Sequence, residues 1–294
     1  MLSLSQLNSL YAFVTVIYRN PRISVRELHN SFSHYKNRDS TRKLLKKAYD
    51  NNIIMGPKIW CNTGFDVEIY KDLDDPLSFL EQNSKRPEIT HINAFIGDIS
   101  AICFKKGASV LQHAETIIPT FPAKKTIDEI QIEEKGILPS DEYPKGWDEI
   151  DWKVYKAMRV PRVPYWRVAK KVEDSLYGEE RRETPPWQTV KRRFLRIVRD
   201  CKTWISFFPK GYDNYHQAYL LFKTDYEISF RDELRNVDRT SIIYKFDDNL
   251  LLHLFLDETL KKLHKCYRKF YKLKKEGIIH DLHVLIPMEW YSSF

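Results

Sequence analysis

Apolar residues recur every three or four positions near the start of the chain, which places them on one face of a helix that ends at Pro21. They are Leu7, Leu10, Tyr11, Val14 and Ile17. Ser24 and Glu27 have the spacing of a capping box, which predicts a second helix through about Phe32. A third amphipathic helix is predicted over 39–51, with Leu44, Leu45 and Ala48 or Tyr49 inside and lysine and arginine outside.

The extended segment Ile53 to Trp60 follows, so the first 60 residues predict a winged helix-turn-helix. The pattern then changes to short alternating strands around one helix. We predict strand Asp66 to Tyr70, helix Pro76 to Asn83, strands Thr90 to Ile96 and Ile99 to Lys105, and a last strand Glu115 to Ile118. Gly97 and Asp98 between two of these strands indicate a hairpin turn, because glycine accepts a positive φ without steric cost.

The second half of the chain repeats this order. A helix is predicted over Trp147 to Met158, then Val163 to Val172, then a strongly basic helix that begins at Thr184-Pro185-Pro186 and reaches Arg199. The elements expected after it are a hairpin of Trp204 to Phe208 with Gln217 to Lys223, helix Ile228 to Arg235, strands Ser241 to Phe246 and Leu250 to Leu256, helix Leu260 to Glu276 and strand His280 to Ile286. From residue 217 the order is β-α-β-β-α-β, which is typical of a ferredoxin-like domain.

The repeat therefore predicts an α+β fold with two winged helix-turn-helix domains, each followed by a ferredoxin-like domain. The first ferredoxin-like domain is shortened, because no helix is predicted between Lys105 and Glu115. The predicted divisions are winged domain 1 at 1–60, ferredoxin-like domain 1 at 61–121, a linker at 122–146, winged domain 2 at 147–216 and ferredoxin-like domain 2 at 217–294.

The net charge of +8 and the pI of about 9.1 suggest, as a hypothesis, that the partner of this protein is a polyanion. Four widely spaced cysteines indicate neither a disulfide framework nor a zinc ribbon, which favours a reducing cytoplasm. No apolar run approaches the roughly 20 residues that cross a bilayer, so no membrane association is expected.

The domain order resembles that of the Lrp/AsnC (feast/famine) transcription regulators of archaea and bacteria. Three segments carry the resemblance together with that order: Arg19 to Leu28, Asp50 to Ile54 and Trp147 to Trp152. The resemblance implies an archaeal-type regulator that binds double-stranded DNA through the third helix of each winged domain. It also implies pairing of the ferredoxin-like (RAM-like) domains, a homodimer, and in some members a small effector such as an amino acid between paired domains.

The candidate DNA-binding residues lie on the two basic helices. In the first helix they are Arg38, Ser40, Thr41, Arg42, Lys43, Lys46 and Lys47. In the second they are Trp187, Gln188, Thr189, Lys191, Arg192, Arg193, Arg196 and Arg199. Arginine can bond O6 and N7 of guanine together, whereas lysine and hydroxyl groups mostly contact phosphates. The alternative for each set is a solvated charged face, and for the basic stretch Lys261 to Lys275 that alternative is slightly favoured.

Other chemistry is weakly indicated. Gly97, Asp98, Asp247 and Asp248 are weak candidates for an effector site at two hairpin turns. His280 and His283 are expected on opposite faces of a strand, so no metal site is predicted, and neither catalytic residues nor cofactors are expected. Most tryptophans of the second winged domain are expected in its core, with Trp187 exposed.

Two rival functions remain open at this point. One is an Lrp-like enzyme acting in the cleft between paired domains, which would require His and Arg side chains beside a large cavity. The other is a protein-interaction module that recruits transcription machinery.

Overall fold

The computed structural model describes residues 2–33, 35–107, 110–161, 165, 167–169, 187–257 and 260–292. The chain divides into two compact units, each built from both halves of the sequence. Unit 1 comprises Met1–Asn62 and Glu142–Ser206, and unit 2 comprises Thr63–Asp141 and Phe207–Phe294. The fold is α+β, as predicted, with a mostly antiparallel sheet.

The helices with described bounds are α1 (Leu4–Arg19), α2 (Val25–Phe32), α3 (Arg38–Asp50), α4 (Pro76–Asn83), α5 (Glu149–Met158), α6 (Trp187–Ile197), α7 (Glu227–Leu234) and α8 (Leu260–Lys275). The strands are β1 (Ile54–Trp60), β2 (Phe65–Tyr70), β3 (Ile89–Ile96), β4 (Ala101–Lys106), β5 (Leu111–Ile117), β6 (Lys202–Phe207), β7 (Tyr215–Lys223), β8 (Ser241–Phe246), β9 (Asn249–Asp257) and β10 (His280–Ser292). Much of the helix predicted over Val163 to Val172, namely 163, 164, 166 and 170–172, lies outside the described residues, as does the predicted helix start 184–186.

The first three helices of unit 1 pack on one another and bury the predicted apolar face of α1 together with Phe13. The capping box of α2 is confirmed. The Glu27 amide donates to Ser24 Oγ at 3.1 Å, and the Ser24 amide donates to Glu27 Oε2 at 2.8 Å. A second capping box, between Ser3 and Gln6, starts α1 and was not predicted.

Strands β1 and β6 form a two-stranded sheet that joins the two halves of the chain within unit 1. The predicted hairpin between Trp204 to Phe208 and Gln217 to Lys223 is therefore wrong, because β7 pairs with β9 and β10 instead. Gly56 has a φ of +95°, and a Cβ there would lie 2.6 Å from the Trp204 carbonyl oxygen. A glycine is thus needed where β1 approaches β6.

Residues of β1 also complete the hydrophobic core around α5 and α6. Ile59 and Cys61 are buried in one cluster with Val154 and Phe194. The Cys61 amide donates to Tyr155 Oη at 3.2 Å within this core. The core that surrounds the second basic helix therefore includes side chains from the first 62 residues.

Unit 2 contains one eight-stranded sheet in the order β2-β4-β3-β10-β7-β9-β8-β5, with antiparallel pairing throughout. The halves of the chain meet twice in this sheet, at β3–β10 and at β5–β8. The outermost strands β2 and β5 contact each other, so the sheet curls back on itself. Strands β4 and β5 are separated by only four residues of the chain, in agreement with the shortened order predicted there.

Helices α7 and α8 cover one face of the sheet in the second half, where Phe222, Phe230 and Phe270 pack together. Helix α4 covers β3 through Leu80. The segment predicted as a linker, 122–146, also packs here, because its Ile130, Ile132 and Leu138 are buried in the same core as α7 and α8. None of the described helices is both long and apolar enough to span a bilayer.

Candidate nucleic-acid interface

Helix α3 presents a basic face whose opposite side is fixed in the core. Leu44, Leu45 and Ala48 are buried, while the five basic residues of the predicted set are exposed. These five are Arg38, Arg42, Lys43, Lys46 and Lys47. Among the described residues none of the five forms an ion pair, so their charges are available to an external anion.

Two polar residues of the predicted set are less exposed than the basic residues of α3. Thr41 is fully buried, and its Oγ1 lies 2.9 Å from His29 Nδ1 and 2.8 Å from Ser33 Oγ. Its hydroxyl therefore links the end of α2 to α3, and we remove it from the candidate DNA contacts. Ser40 is half-buried next to Asn37, whose side chain caps the helix.

Helix α6 carries a second basic face, which lines an open groove of about 570 Å³. The residues that line the groove are Trp187, Gln188, Lys191, Arg192, Leu195, Arg196 and Arg199. All of them are exposed, while Val190, Phe194 and Ile197 on the other side of the helix are buried. Thr189 is half-buried and does not line the groove. Lys191, Arg192 and Arg199 form no ion pair in the part of the chain that is described.

Arg193 and Arg196 differ from the other arginines of α6 because both bond acids at the start of α5. Arg193 Nη1 lies 2.6 Å from Asp148 Oδ2 and 2.9 Å from Asp151 Oδ1, and Arg196 pairs with Asp151 as well. The Asp151 side chain is fully buried, so these guanidinium groups neutralise it. Arg193 therefore has a structural role and leaves the candidate DNA contacts, whereas Arg196 is still 53% exposed.

Asp148 and Asp151 also start helix α5, which the sequence predicted over Trp147 to Met158. The two residues form a capping box in which the Asp151 amide donates to Asp148 Oδ1 at 2.9 Å. Sequence reasoning did not connect them to the arginines of α6. Sequence separations of 42 and 45 residues hide this contact from any local pattern.

The tryptophans of unit 1 are mostly engaged with other aromatic rings. Trp147 and Trp152 have ring centroids 4.7 Å apart, and Trp204 lies 5.7 Å from Trp60. Trp187 is 49% exposed at the start of the α6 groove, as predicted. The predicted residue Trp166 lies outside the described residues.

The basic residues of α8 form a further charged surface, in unit 2. Its apolar face is buried through Cys266, Phe270 and Leu273. Two of its lysines have acidic neighbours, since Lys265 lies 3.4 Å from Asp128 and Lys272 lies 3.5 Å from Glu276. Both faces therefore fit the expected amphipathic outer helix.

The two turns predicted as a weak effector site share a backbone property. Gly97 has a φ of +143° and Asp247 a φ of +49°, so Asp247 takes the left-handed conformation without a glycine. The Asp98 carboxylate lies 3.5 Å from His283 Nδ1, and Asp248 is exposed. No hydrogen bond or ion pair joins the two turns in the described ranges, so nothing in this arrangement builds one site from them.

A polar network inside the sheet of unit 2 was missed at the sequence level. Asn93 Nδ2 donates to His91 Nε2 at 2.9 Å, and Tyr219 Oη donates to Asn93 Oδ1 at 3.2 Å. The His253 ring stacks on Tyr219 at 4.0 Å, and His253 Nε2 donates to Gln217 Oε1 at 3.0 Å. The signal was polar residues two positions apart on a strand, which share one face.

Burial sets the protonation state of this network. It lowers the pKa of His91 to about 4, and burial together with repulsion from His91 lowers the pKa of His253 well below its usual range. Burial also raises the pKa of the Tyr219 hydroxyl. Both imidazoles are therefore neutral at pH 7. Their described hydrogen bonds run to the side-chain amides of Asn93 and Gln217 and, for His91, to the Tyr291 backbone.

The described residues contain no group of three or more His, Cys, Asp or Glu side chains placed to hold a metal ion. Comparison of the chain with known protein families, with curated proteins and with solved structures found no match. The chemistry of the two basic helices is therefore the basis on which a function can be assigned.

Proposed function

We propose that this protein is a double-stranded DNA-binding transcription regulator of Lrp/AsnC type. The observation that carries the proposal is the exposed face of α3, with five basic side chains that have no acidic partner among the described residues. One side of this helix is packed in the core and the other carries positive charge, and such a helix is suited to a groove of DNA.

The order of elements supports the finer assignment of domains. In unit 1, three helices followed by a strand fit a winged helix-turn-helix in the first half. In unit 2, the chain order β7-α7-β8-β9-α8-β10 has the spatial strand order β10-β7-β9-β8, in which the first and last strands are neighbours. This arrangement supports a ferredoxin-like domain.

In this proposal α3 reads sequence and α6 mainly holds the backbone. Arg38 and Arg42 near the start of α3 are suited to guanine edges in the major groove. Lys191, Arg192 and Arg199 on α6 are suited to phosphates. Lys191, Arg192 and Arg199 have no acidic partner in the described part of the chain. Each phosphate contact that they make should therefore steepen the salt dependence of binding by about 0.9 log units per decade of salt.

The test measures affinity and salt dependence with the full-length protein. A duplex enriched from a random pool and a random duplex are each titrated by fluorescence anisotropy over a series of salt concentrations. We expect the enriched duplex to bind at least about a thousandfold more tightly. Equal, weak binding to both would refute a sequence-specific regulator, and combined with a stable protein complex it would favour the module that recruits transcription machinery.

Charge-matched variants separate the proposed interface from general basicity. Lys43→Gln, Lys46→Gln and Lys47→Gln together should reduce the salt slope by up to about 2.7, since each lysine that binds a phosphate adds about 0.9 to the slope. The control removes the same charge from exposed positions of unit 2, by Lys71→Gln, Lys85→Gln and Lys124→Gln. An equal reduction of the slope in both triple variants would contradict the assignment of α3.

The oligomeric state remains a prediction. Pairing of the two halves within one chain, at β3–β10 and β5–β8, supplies contacts of the kind that the resemblance implies between two subunits. We retain the homodimer as an expectation, which a measurement of molecular mass in solution with and without DNA tests. A protein that stays monomeric while it binds the enriched duplex tightly would refute the homodimer.

A further inference from the structure

Unit 1 contains a cavity of about 360 Å³ between its two halves. One wall is the end of α1 and the turn into α2, including Tyr18, Arg19 and Arg22. The other wall is the end of α6 and the start of β6, including Phe194 and Lys202. This volume lies within the range of about 300 to 1,000 Å³ that is typical of sites for small molecules.

The charged side chains described in the lining of the cavity are all positive. Arg19, Arg22 and Lys202 line it, and no aspartate or glutamate does so among the described residues. Asp200 precedes the lining residue Cys201 in the chain, and its carboxylate accepts a hydrogen bond from Trp147 Nε1 at 2.7 Å. A cavity lined by cations alone favours an anion.

Arg22 is held in place by aromatic rings. Its guanidinium carbon lies 4.0 Å from the centroid of the Tyr165 ring and 5.6 Å from that of Phe194, and Nη1 donates to the Pro161 carbonyl. Burial lowers the pKa of Arg22, which means that the guanidinium has lost part of its hydration. A carboxylate in the cavity would add a charge-assisted bond to those that Arg22 already makes with Pro161 and Tyr165.

The remaining lining is mostly aromatic and aliphatic, with Asn20, Cys201 and Thr203 besides. Tyr18, Tyr165 and Phe194 contribute rings, and Pro21, Leu195 and Val198 contribute aliphatic surface. From this lining and the positive charge, we propose that the cavity binds a small aromatic carboxylate. The planar part would pack against the rings while the carboxylate bonds Arg22.

The cavity is joined to the proposed DNA interface by a shared residue. Leu195 lines both this cavity and the basic groove of α6, and Lys191 and Arg192 lie one turn earlier on the same helix. A ligand that packs against Phe194 and Leu195 would therefore alter how α6 is held. This coupling rests on the proposed function, whereas binding of the ligand does not.

The experiment is calorimetric titration of the full-length protein with 2-naphthoate and with its neutral isostere 2-naphthamide. We expect naphthoate to bind and naphthamide to bind at least about tenfold more weakly, because the amide lacks the charge. Absence of naphthoate binding at millimolar concentration, or equal affinity for both compounds, would overturn the proposal.

Variants locate the binding site. Arg22→Gln should weaken naphthoate by at least about tenfold, and Leu195→Trp should do the same by filling the cavity. Arg26→Gln is the matched control, since Arg26 is an exposed arginine of α2 outside the cavity. Thermal unfolding checks that each variant is folded, and if Arg22→Gln is not, Arg19→Gln and Leu195→Trp decide. Unchanged affinity in the folded variants would assign naphthoate to another site.

A second titration tests the coupling. With the enriched duplex, saturating naphthoate should change DNA affinity by at least about fivefold, and DNA should change naphthoate affinity by the same factor. If the protein binds no specific duplex, the calorimetry still tests the cavity alone. Naphthoate binding with no effect on DNA would remove the regulatory part of the proposal and keep the ligand site.

Discussion

Acid should destabilise unit 2 through His91, and the effect can be isolated by one substitution. His91 is neutral in the folded protein because burial lowers its pKa from 6.5 to about 4. The unfolded chain therefore binds a proton between these two pH values that the folded chain does not. Stability from this residue is fully present above pH 6.5 and is lost as pH falls toward 4.

The size of the effect follows from that difference. At about 1.36 kcal/mol for each unit of pKa, the complete loss is about 3 kcal/mol. At pH 4.5 the same linkage relation gives a loss of about 2 to 3 kcal/mol. His91 is half-buried, so solvation of the protonated side chain makes both figures upper bounds.

His91→Gln keeps an acceptor for Asn93 and cannot titrate. The free energy of unfolding is measured in urea from pH 8 to 4.5 for the wild type, for this variant and for His216→Gln, whose histidine is exposed on β7. Six of the seven tryptophans fall in unit 1, so fluorescence reports mainly on that unit. Hydrogen exchange in peptides from β3 and β7 reports on unit 2 instead.

The wild type should lose about 2 to 3 kcal/mol more than His91→Gln between pH 7.5 and 4.5. His216→Gln should follow the wild type, because it leaves the buried imidazole of His91 in place. Parallel curves for the wild type and His91→Gln, within about 0.5 kcal/mol, would refute a buried neutral imidazole at this position.

Three further changes test the structure elsewhere. Asp151→Asn removes a buried carboxylate that pairs with Arg196 and Arg193, and Arg193 keeps only Asp148. The tryptophan-detected unfolding free energy of unit 1 should fall by about 3 to 5 kcal/mol, and a loss below about 1 kcal/mol would contradict a buried ion pair. Gly56→Ala should lower the midpoint of thermal unfolding more than Gly146→Ala does. Both glycines have a positive φ, but only Gly56 of the two has a backbone atom within 3 Å of the added Cβ. Equal midpoints would refute the close approach. Thr41→Val should lower stability by about 1 to 3 kcal/mol and leave the salt slope of DNA binding unchanged, so a reduced slope would return this residue to the interface.

Local features of the fold could be predicted because their causes are local. The Ser24–Glu27 capping box and the exposure of Trp187 depend on residues within one or two turns, and both are confirmed. Strand partners could not be predicted in this way. Alternation assigns the faces of β6 but not its neighbour, and that neighbour, β1, lies some 140 residues earlier in the chain.

The candidate site shows the same division. Charge spacing identified the exposed faces of α3 and α6, but it could not separate residues facing solvent from those facing another helix. Thr41 bonds the end of α2, and Arg193 bonds the start of α5. The position of a side chain on its own helix is periodic, whereas the acid or hydroxyl opposite it is set by packing.

The interleaving of the two halves has a consequence for how the chain is made. Unit 1 needs β6, which ends at Phe207, and the sheet of unit 2 needs β10, which ends at Ser292. A growing chain that has been synthesised to residue 146 would have β1, β3 and β5 complete but not their partner strands β6, β10 and β8, which leaves three unpaired strand edges. Because synthesis proceeds at about 5 to 20 residues per second, the last of these partners, β10, is complete only about 7 to 30 seconds later. During translation this protein therefore exposes strand edges that can pair with another chain, and synthesis that stops before residue 206 leaves neither unit whole.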